Sequence, residues 1–243
     1  MWELNVKLSK DERINEDIKA VFMDIVNQYE KLISQGPPLK ECKRIIEVIP
    51  GIKPLCAIAF LPKYYQIQLK SDVENKNYLQ AARQFSHELC HIYCDPRISN
   101  RFIEAICEIS FLYFFEYLSE LRRDRRYSDY KTKEIASIRY DWGEFSDIKN
   151  ILYPSGLNHK KLSDEEKRKE RNLQLITANE LLETFQKDSN TWLLLADFGK
   201  FSKPQPNPGE YKFNLTEIII EGLLDSASVS GKLKEKIEDI LKK

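Results

Sequence analysis

The chain has 243 residues, 42% hydrophobic and 31% charged. That supplies enough apolar material for one packed domain, alone or with an extension, and excludes wholesale disorder. Lys+Arg and Asp+Glu balance at 38 each, so no bulk field recruits nucleic acid or an anionic membrane, and neither is expected as a partner. No stretch reaches the roughly 20 apolar residues of a membrane-spanning helix, and the start MWELNVKLSKDER lacks the apolar core of a signal peptide. A cytoplasmic protein is the expectation. Five cysteines (Cys42, Cys56, Cys90, Cys94, Cys107) include no C-x-x-C pair and read as reduced, mostly buried thiols.

From Ile14 to Ile33 the apolar residues Ile14, Ile18, Val21, Phe22, Ile25, Val26, Tyr29 and Ile33 recur at steps of three and four, predicting an amphipathic helix that stops near Gly36-Pro37-Pro38. Three runs rich in β-branched or aromatic residues follow: Ile45 to Ile49, Leu55 to Leu61 and Tyr64 to Leu69. Pro50-Gly51, Pro54 and Pro62 separate them into a small sheet with tight connections. In the last run, YYQIQL, the residues Tyr65, Ile67 and Leu69 share one face against Gln66 and Gln68, as expected of a half-exposed edge strand.

Asn77 to Tyr93 reads as a helix through the spacing of Leu79, Ala82, Phe85, Leu89 and Ile92. The loop DPRISN follows, with Ser99 or Asn100 available to cap the next helix. That helix, Arg101 to about Leu121, is apolar on most sides and must be central.

Beyond Arg122 the sequence turns polar, starting with RRDRRYSDYKTK, where the basic run is read as cations at a helix C-terminus. Ser163 and Glu166 form a capping box for a helix through about Phe185. Shorter helices are expected at Thr191 to Phe198, Leu215 to Leu224 and Lys232 to Leu241, with SKPQPNPG as a loop. The predicted class is α+β, with a core over 1–125 and an all-helical C-terminal extension over 126–243 packed on it.

Of only three histidines, two fall in the pentapeptide HELCH, His87-Glu88-Leu89-Cys90-His91. Residues four apart on a helix share a face, with Cβ atoms about 5–6 Å apart, so both imidazoles can converge on one zinc ion. Glu88, rotated by about 100°, flanks the metal and can take a proton from the water it activates and pass it to a leaving amine. A third ligand is needed if one position is to stay open. Glu104 and Glu108 in RFIEAICE stand four apart on a mostly apolar helix, where an unpaired carboxylate is costly. Glu104, nearer the helix start, is assigned as ligand, and Glu108 as acceptor for a histidine N–H; these two roles are exchangeable. The competing reading pairs the glutamates with Arg101 or Arg83. Cys90, Cys94 and Cys107 are close in sequence, but their apolar spacing favours packing over ligation.

HELCH together with EAICE resembles the gluzincin group of zinc metallopeptidases, including the thermolysin-like enzymes and the small minigluzincins, over roughly Ile45 to Leu121. The resemblance implies a zincin-like fold, a small mixed sheet packed on an active-site helix pair, and one Zn2+ held by His87, His91 and Glu104 with Glu88 as general base. It also implies a peptide or protein substrate paired to an edge strand above the cleft, where YYQIQL stands. Departures from the group are the 12 residues between His91 and Glu104, Ile103 where asparagine is usual, and Glu108 in place of Asp.

For an oxyanion donor the candidates are Tyr113 and Tyr117 on the second helix, and Tyr140, Tyr153 and His159 from the extension. The function expected is zinc-dependent peptide hydrolysis, broad or confined to one protein target. The alternative is a catalytically silent zincin-fold module that binds a protein partner, against which an intact Glu88 counts.

Overall fold

A computed structural model describes residues 2–33, 42–60, 63–70, 73, 78–96, 101–141, 163–198 and 231–242. In chain order its elements are β1 (Glu3–Val6), α1 (Glu12–Leu32), β2 (Ile45–Pro50), β3 (Leu55–Phe60), β4 (Lys63–Leu69), α2 (Tyr78–Cys94), α3 (Arg101–Arg122), α4 (Arg126–Asp141), α5 (Asp164–Lys187), a 3-10 helix (Ser189–Asp197) and α6 (Gly231–Lys242). The class is α+β, and after α3 the described elements are all helical.

Helix α1 starts where the Asp11 carboxylate accepts the Arg13 N–H at 3.0 Å, satisfying one of the open donors of the first turn. The buried amide of Asn15 accepts from the Leu8 and Ser9 N–H groups and donates to the Ser9 carbonyl, which sets how β1 enters the helix. The apolar stripe Ile18, Val21, Phe22, Ile25, Val26 and Tyr29 is buried as its spacing requires.

The sheet has the order β1-β2-β4-β3, with β1, β2 and β4 parallel and β3 antiparallel to β4. Its register aligns Leu4 with Ile46 and Ile46 with Tyr65, and likewise Val6 with Val48 and Val48 with Ile67. These rows form the buried face. On the other face Glu47 takes bonds from Lys7, Tyr64 and Gln66. Strand β4 is therefore interior, which corrects the expectation that Tyr64 to Leu69 forms the edge. Its glutamines mark the polar face of the sheet, and alternation reports a face without reporting an edge. Among the described residues β3 has a neighbour on one side only.

Helices α2 and α3 run antiparallel, since the partners Arg83–Glu108, His87–Glu104 and His91–Glu104 fall in opposite chain order. Asp95, at φ 79°, closes α2 in the left-handed region that aspartate tolerates better than most residues. Helix α3 is buried nearly all round, through Phe102, Ile106, Ile109, Phe111, Phe114, Phe115 and Leu118. Helix α4, which the polar text after Arg122 hides, covers it with Tyr127 and Tyr130 packed on Phe115, ring centroids 5.4 and 5.5 Å apart. Helix α5 lies along α3, and the following 3-10 helix inserts Trp192 among Tyr29, Tyr113, Phe114 and Phe185. The helix expected at Leu215 to Leu224 and the loop SKPQPNPG lie outside the described residues, as do Ser99 and Asn100. Among the described residues no helix is long and apolar enough to cross a membrane.

A buried hydroxyl chain ties three helices together. Tyr29 donates to Ser110 Oγ at 2.6 Å, and Ser110 donates to the Ser86 carbonyl at 2.7 Å. Ser110→Ala leaves the Tyr29 hydroxyl in the core with only the Cys90 thiol, a weak partner, beside it. We expect a loss of about 1–3 kcal/mol by urea denaturation, and a smaller loss when the same change is made on a Tyr29→Phe background.

Candidate metal centre

HELCH occupies the second half of α2, and one helical turn sets the His87 and His91 ring centroids 5.3 Å apart. The antiparallel α3 presents Glu104 to both rings. Its Oε2 lies 3.2 Å from His87 Nε2 and its Oε1 3.5 Å from His91 Nε2. Glu108, one turn further along α3, takes the other side of His87, with Oε1 3.4 Å from Nδ1. The two nitrogens of His87 thus face different carboxylates.

Glu108 also meets Arg83, whose Nη2 stands 3.0 Å from Oε2 and 3.3 Å from Oε1. The ion pair weighed from sequence as a rival to a site role therefore exists alongside the histidine contact. Arg83 sits one turn before His87, as Glu108 sits one turn after Glu104, and this matched pair of i,i+4 spacings is the sequence signal that identifies it.

Glu88 is buried on α2, where the nearby backbone N–H of Cys56 in β3 favours its charged form. Strand β3 thus approaches the motif on α2, while the end of β4 is tied to the same helix one turn earlier, where Gln84 accepts from the Lys70 N–H and donates to the Lys70 carbonyl, both at 2.8 Å. A backbone donor of this kind carries no residue-type signature, so the sequence gives no hint of it.

Three buried thiols lie behind the cluster. The Cys90 and Cys94 sulfurs are 3.9 Å apart, and Cys107 lies beside both. The Cys107 sulfur and one nitrogen of each histidine lie within 4.8 Å of one another, so it is a second candidate donor.

Two oxyanion candidates lie elsewhere on α3. Tyr113, nine residues past Glu104, is displaced by about 13 Å along the helix; its hydroxyl accepts from Gln28 Nε2 at 3.2 Å and its ring packs on Trp192. Tyr117 is a further turn away, edge-on to Phe114. The fixed rise of the helix keeps both from the His–Glu cluster. Tyr153, His159 and the side chain of Tyr140 lie outside the described residues.

Burial opposes charge on His87, but Glu104 and Glu108 outweigh it and hold the imidazole pKa well above its ordinary value. The same contest, won chiefly by Glu104, raises His91. Burial works against the Glu104 carboxylate too, yet the histidines hold it well below the usual range, and Arg83 with His87 brings Glu108 down to about 2. Burial is the main cause of a raised pKa at Glu88, opposed by the two histidines.

Two imidazoles and a carboxylate suit zinc, and ligand atoms about 2.0–2.1 Å from a tetrahedral ion stand about 3.3 Å from one another. The N···O distances of 3.2 and 3.5 Å are close to that spacing, with each histidine meeting its own oxygen of the Glu104 carboxylate. Glu104 approaches both histidines more closely than the 4.8 Å span of the Cys107 group demands. No protein-family model, curated protein or solved structure matches the chain.

In the metal-free protein the raised histidines contribute stability that is full below the ordinary imidazole pKa and is lost as pH rises through their folded values. The lowered carboxylates contribute stability present above their ordinary pKa and lost as pH falls through the folded values. Since zinc binds neutral imidazole, its uptake must displace protons. Zinc added to weakly buffered protein at neutral pH is expected to release protons, and apparent affinity to climb with pH, as read with a pH indicator and a competing chelator. Uptake without proton release would contradict this assignment.

Proposed function

We propose that the protein is a zinc-dependent peptidase of zincin-like architecture, with His87, His91 and Glu104 holding the metal and Glu88 as general base. The observation that carries this reading is the Glu104 carboxylate set between the two Nε2 atoms, with Glu88 on the same stretch of α2. Zinc held there supplies Lewis-acid polarisation of a carbonyl and an acidified water at neutral pH. Glu88 takes up a proton on its carboxylate and delivers it to the leaving amine; its burial raises its proton affinity in the direction that task needs. Glu108 Oε1, 3.4 Å from His87 Nδ1, favours a proton on that nitrogen, which would leave the Nε2 lone pair for the ion.

Of the two candidate third donors, Glu104 is favoured because Cys107 is fully buried and engaged with Cys90 and Cys94. The substrate is an extended peptide or protein segment that pairs with the side of β3 that carries no strand among the described residues. The closeness of the Cys56 backbone in β3 to Glu88 supports that direction of approach. Five free cysteines accord with a cytoplasmic setting.

Glu88→Gln is expected to lower peptide hydrolysis by about 10²–10⁴-fold while zinc content, read by metal analysis of the purified protein, stays that of the unaltered chain. Full activity in this variant would rule out the assigned base. Stoichiometric zinc without cleavage across a broad peptide library would instead favour a silent protein-binding module.

A further inference from the structure

The side chain that reaches the cluster from outside the proposed ligand set is Arg83, only 11% exposed, and its surroundings are specific. Its Nη2 bridges both oxygens of Glu108, at 3.0 and 3.3 Å. One of those oxygens, Oε1, is the atom 3.4 Å from His87 Nδ1. The guanidinium carbon lies 4.8 Å from the centroid of Phe111. Its Nε makes no hydrogen bond within 3.5 Å, and Oε2 of Glu134 in α4 lies 3.7 Å from it. Glu134 is in turn 3.8 Å from Arg171 of α5. A continuous run of charges therefore leads from the helical extension to the back of a histidine.

We propose that Arg83 is a positioning residue of the metal centre: it clamps Glu108 so that Oε1 faces His87 Nδ1, and Glu134 of α4 holds the clamp in place. This inference rests on the metal reading above. A carboxylate on a long, flexible side chain can turn about its terminal bond, and a single contact to an imidazole does not stop it. Nη2, placed against both oxygens at once, adds a second restraint, and the planar guanidinium holds that nitrogen in a fixed relation to Nε. Fixing Oε1 fixes which nitrogen of His87 carries the proton, and so which nitrogen offers a lone pair. The aromatic face of Phe111 limits the tilt of the guanidinium on one side. Glu134, from a separate helix, restrains Nε. The extension thereby takes part in ordering the centre.

A purely structural ion pair would stabilise the fold without setting metal affinity, and the two roles separate in a double-mutant cycle. Zinc affinity is measured by competition with a chromophoric chelator, with folding of each metal-free variant followed by circular dichroism. Arg83→Met is expected to weaken zinc binding about 10–100-fold. Arg83→Lys should recover part of it, since an ammonium keeps the charge beside Glu108 but loses the planar group over Phe111 and the Nε facing Glu134. On a Glu108→Gln background, Arg83→Met should add little further loss. Glu134→Gln should weaken binding in the same direction as Arg83→Met but by less, and it serves as the deciding variant if Arg83→Met does not fold.

Unchanged affinity in a folded Arg83→Met protein overturns the inference alone, as does an equal loss with and without Glu108. If Arg83→Met does not fold, unchanged affinity in Glu134→Gln overturns it. Failure of the unaltered chain to take up zinc overturns the metal reading itself.

Discussion

Two imidazoles, two carboxylates and the Arg83 guanidinium occupy the seam between α2 and α3, among buried side chains that are mostly apolar. Placing ionisable groups in such an interface costs several kcal/mol for each one left without a partner. Here each is answered by another across the seam, so the two helices are locked to one another in register as well as in distance. A slip of one turn, about 5.4 Å, would exchange the partners of His87 and strand Glu104. The hydroxyl chain from Tyr29 through Ser110 to Ser86 holds the same register from the opposite side, without charge. The polar cluster and the apolar packing around it therefore specify one arrangement between them.

How much of this was legible depended on the range over which each feature is decided. The motif helices were readable because three- and four-residue periodicity is local, and the pairs His87/His91 and Glu104/Glu108 announce a shared face by spacing alone. The position of β4 was not readable, because strand order is set by distant partners; Gln66 and Gln68 reveal only that one face of the sheet is polar. Strand β1 was missed, its two buried residues, Leu4 and Val6, being too few to show a period. Helix α4 was missed since its buried side is made largely of tyrosines set among charges. Tyr113 and Tyr117 offer hydroxyls in sequence, and helix geometry carries them away from the cluster. Glu108 shows a further difficulty: the ion pair and the site role were weighed as rivals, and one carboxylate meets both partners.

The sequence boundary drawn after residue 125 marks a change in composition, yet the hydrophobic core continues across it. Leu175, Leu181 and Phe185 of α5 and Leu233 and Ile237 of α6 belong to the same buried cluster as Phe22 and Phe85. Phe22 and Phe85 stack with centroids 4.0 Å apart, joining α1 to the motif helix. The extension thus behaves as one wall of the core, and α3, covered by α2, α4 and α5, is its axis.

Trp192 gives that continuity a consequence in time. Its ring lies against aromatic side chains from α1, α3 and α5, and its indole N–H donates to the Phe185 carbonyl at 3.2 Å. During synthesis the chain emerges from the ribosome N-terminus first. The motif helices are made long before residue 192, so a nascent chain that already carries HELCH still leaves the aromatic surfaces of Tyr29 and Phe114 uncovered. Completion of the interior waits on translation of the second half, and until then the nascent polypeptide offers sticky surface that chaperones can bind.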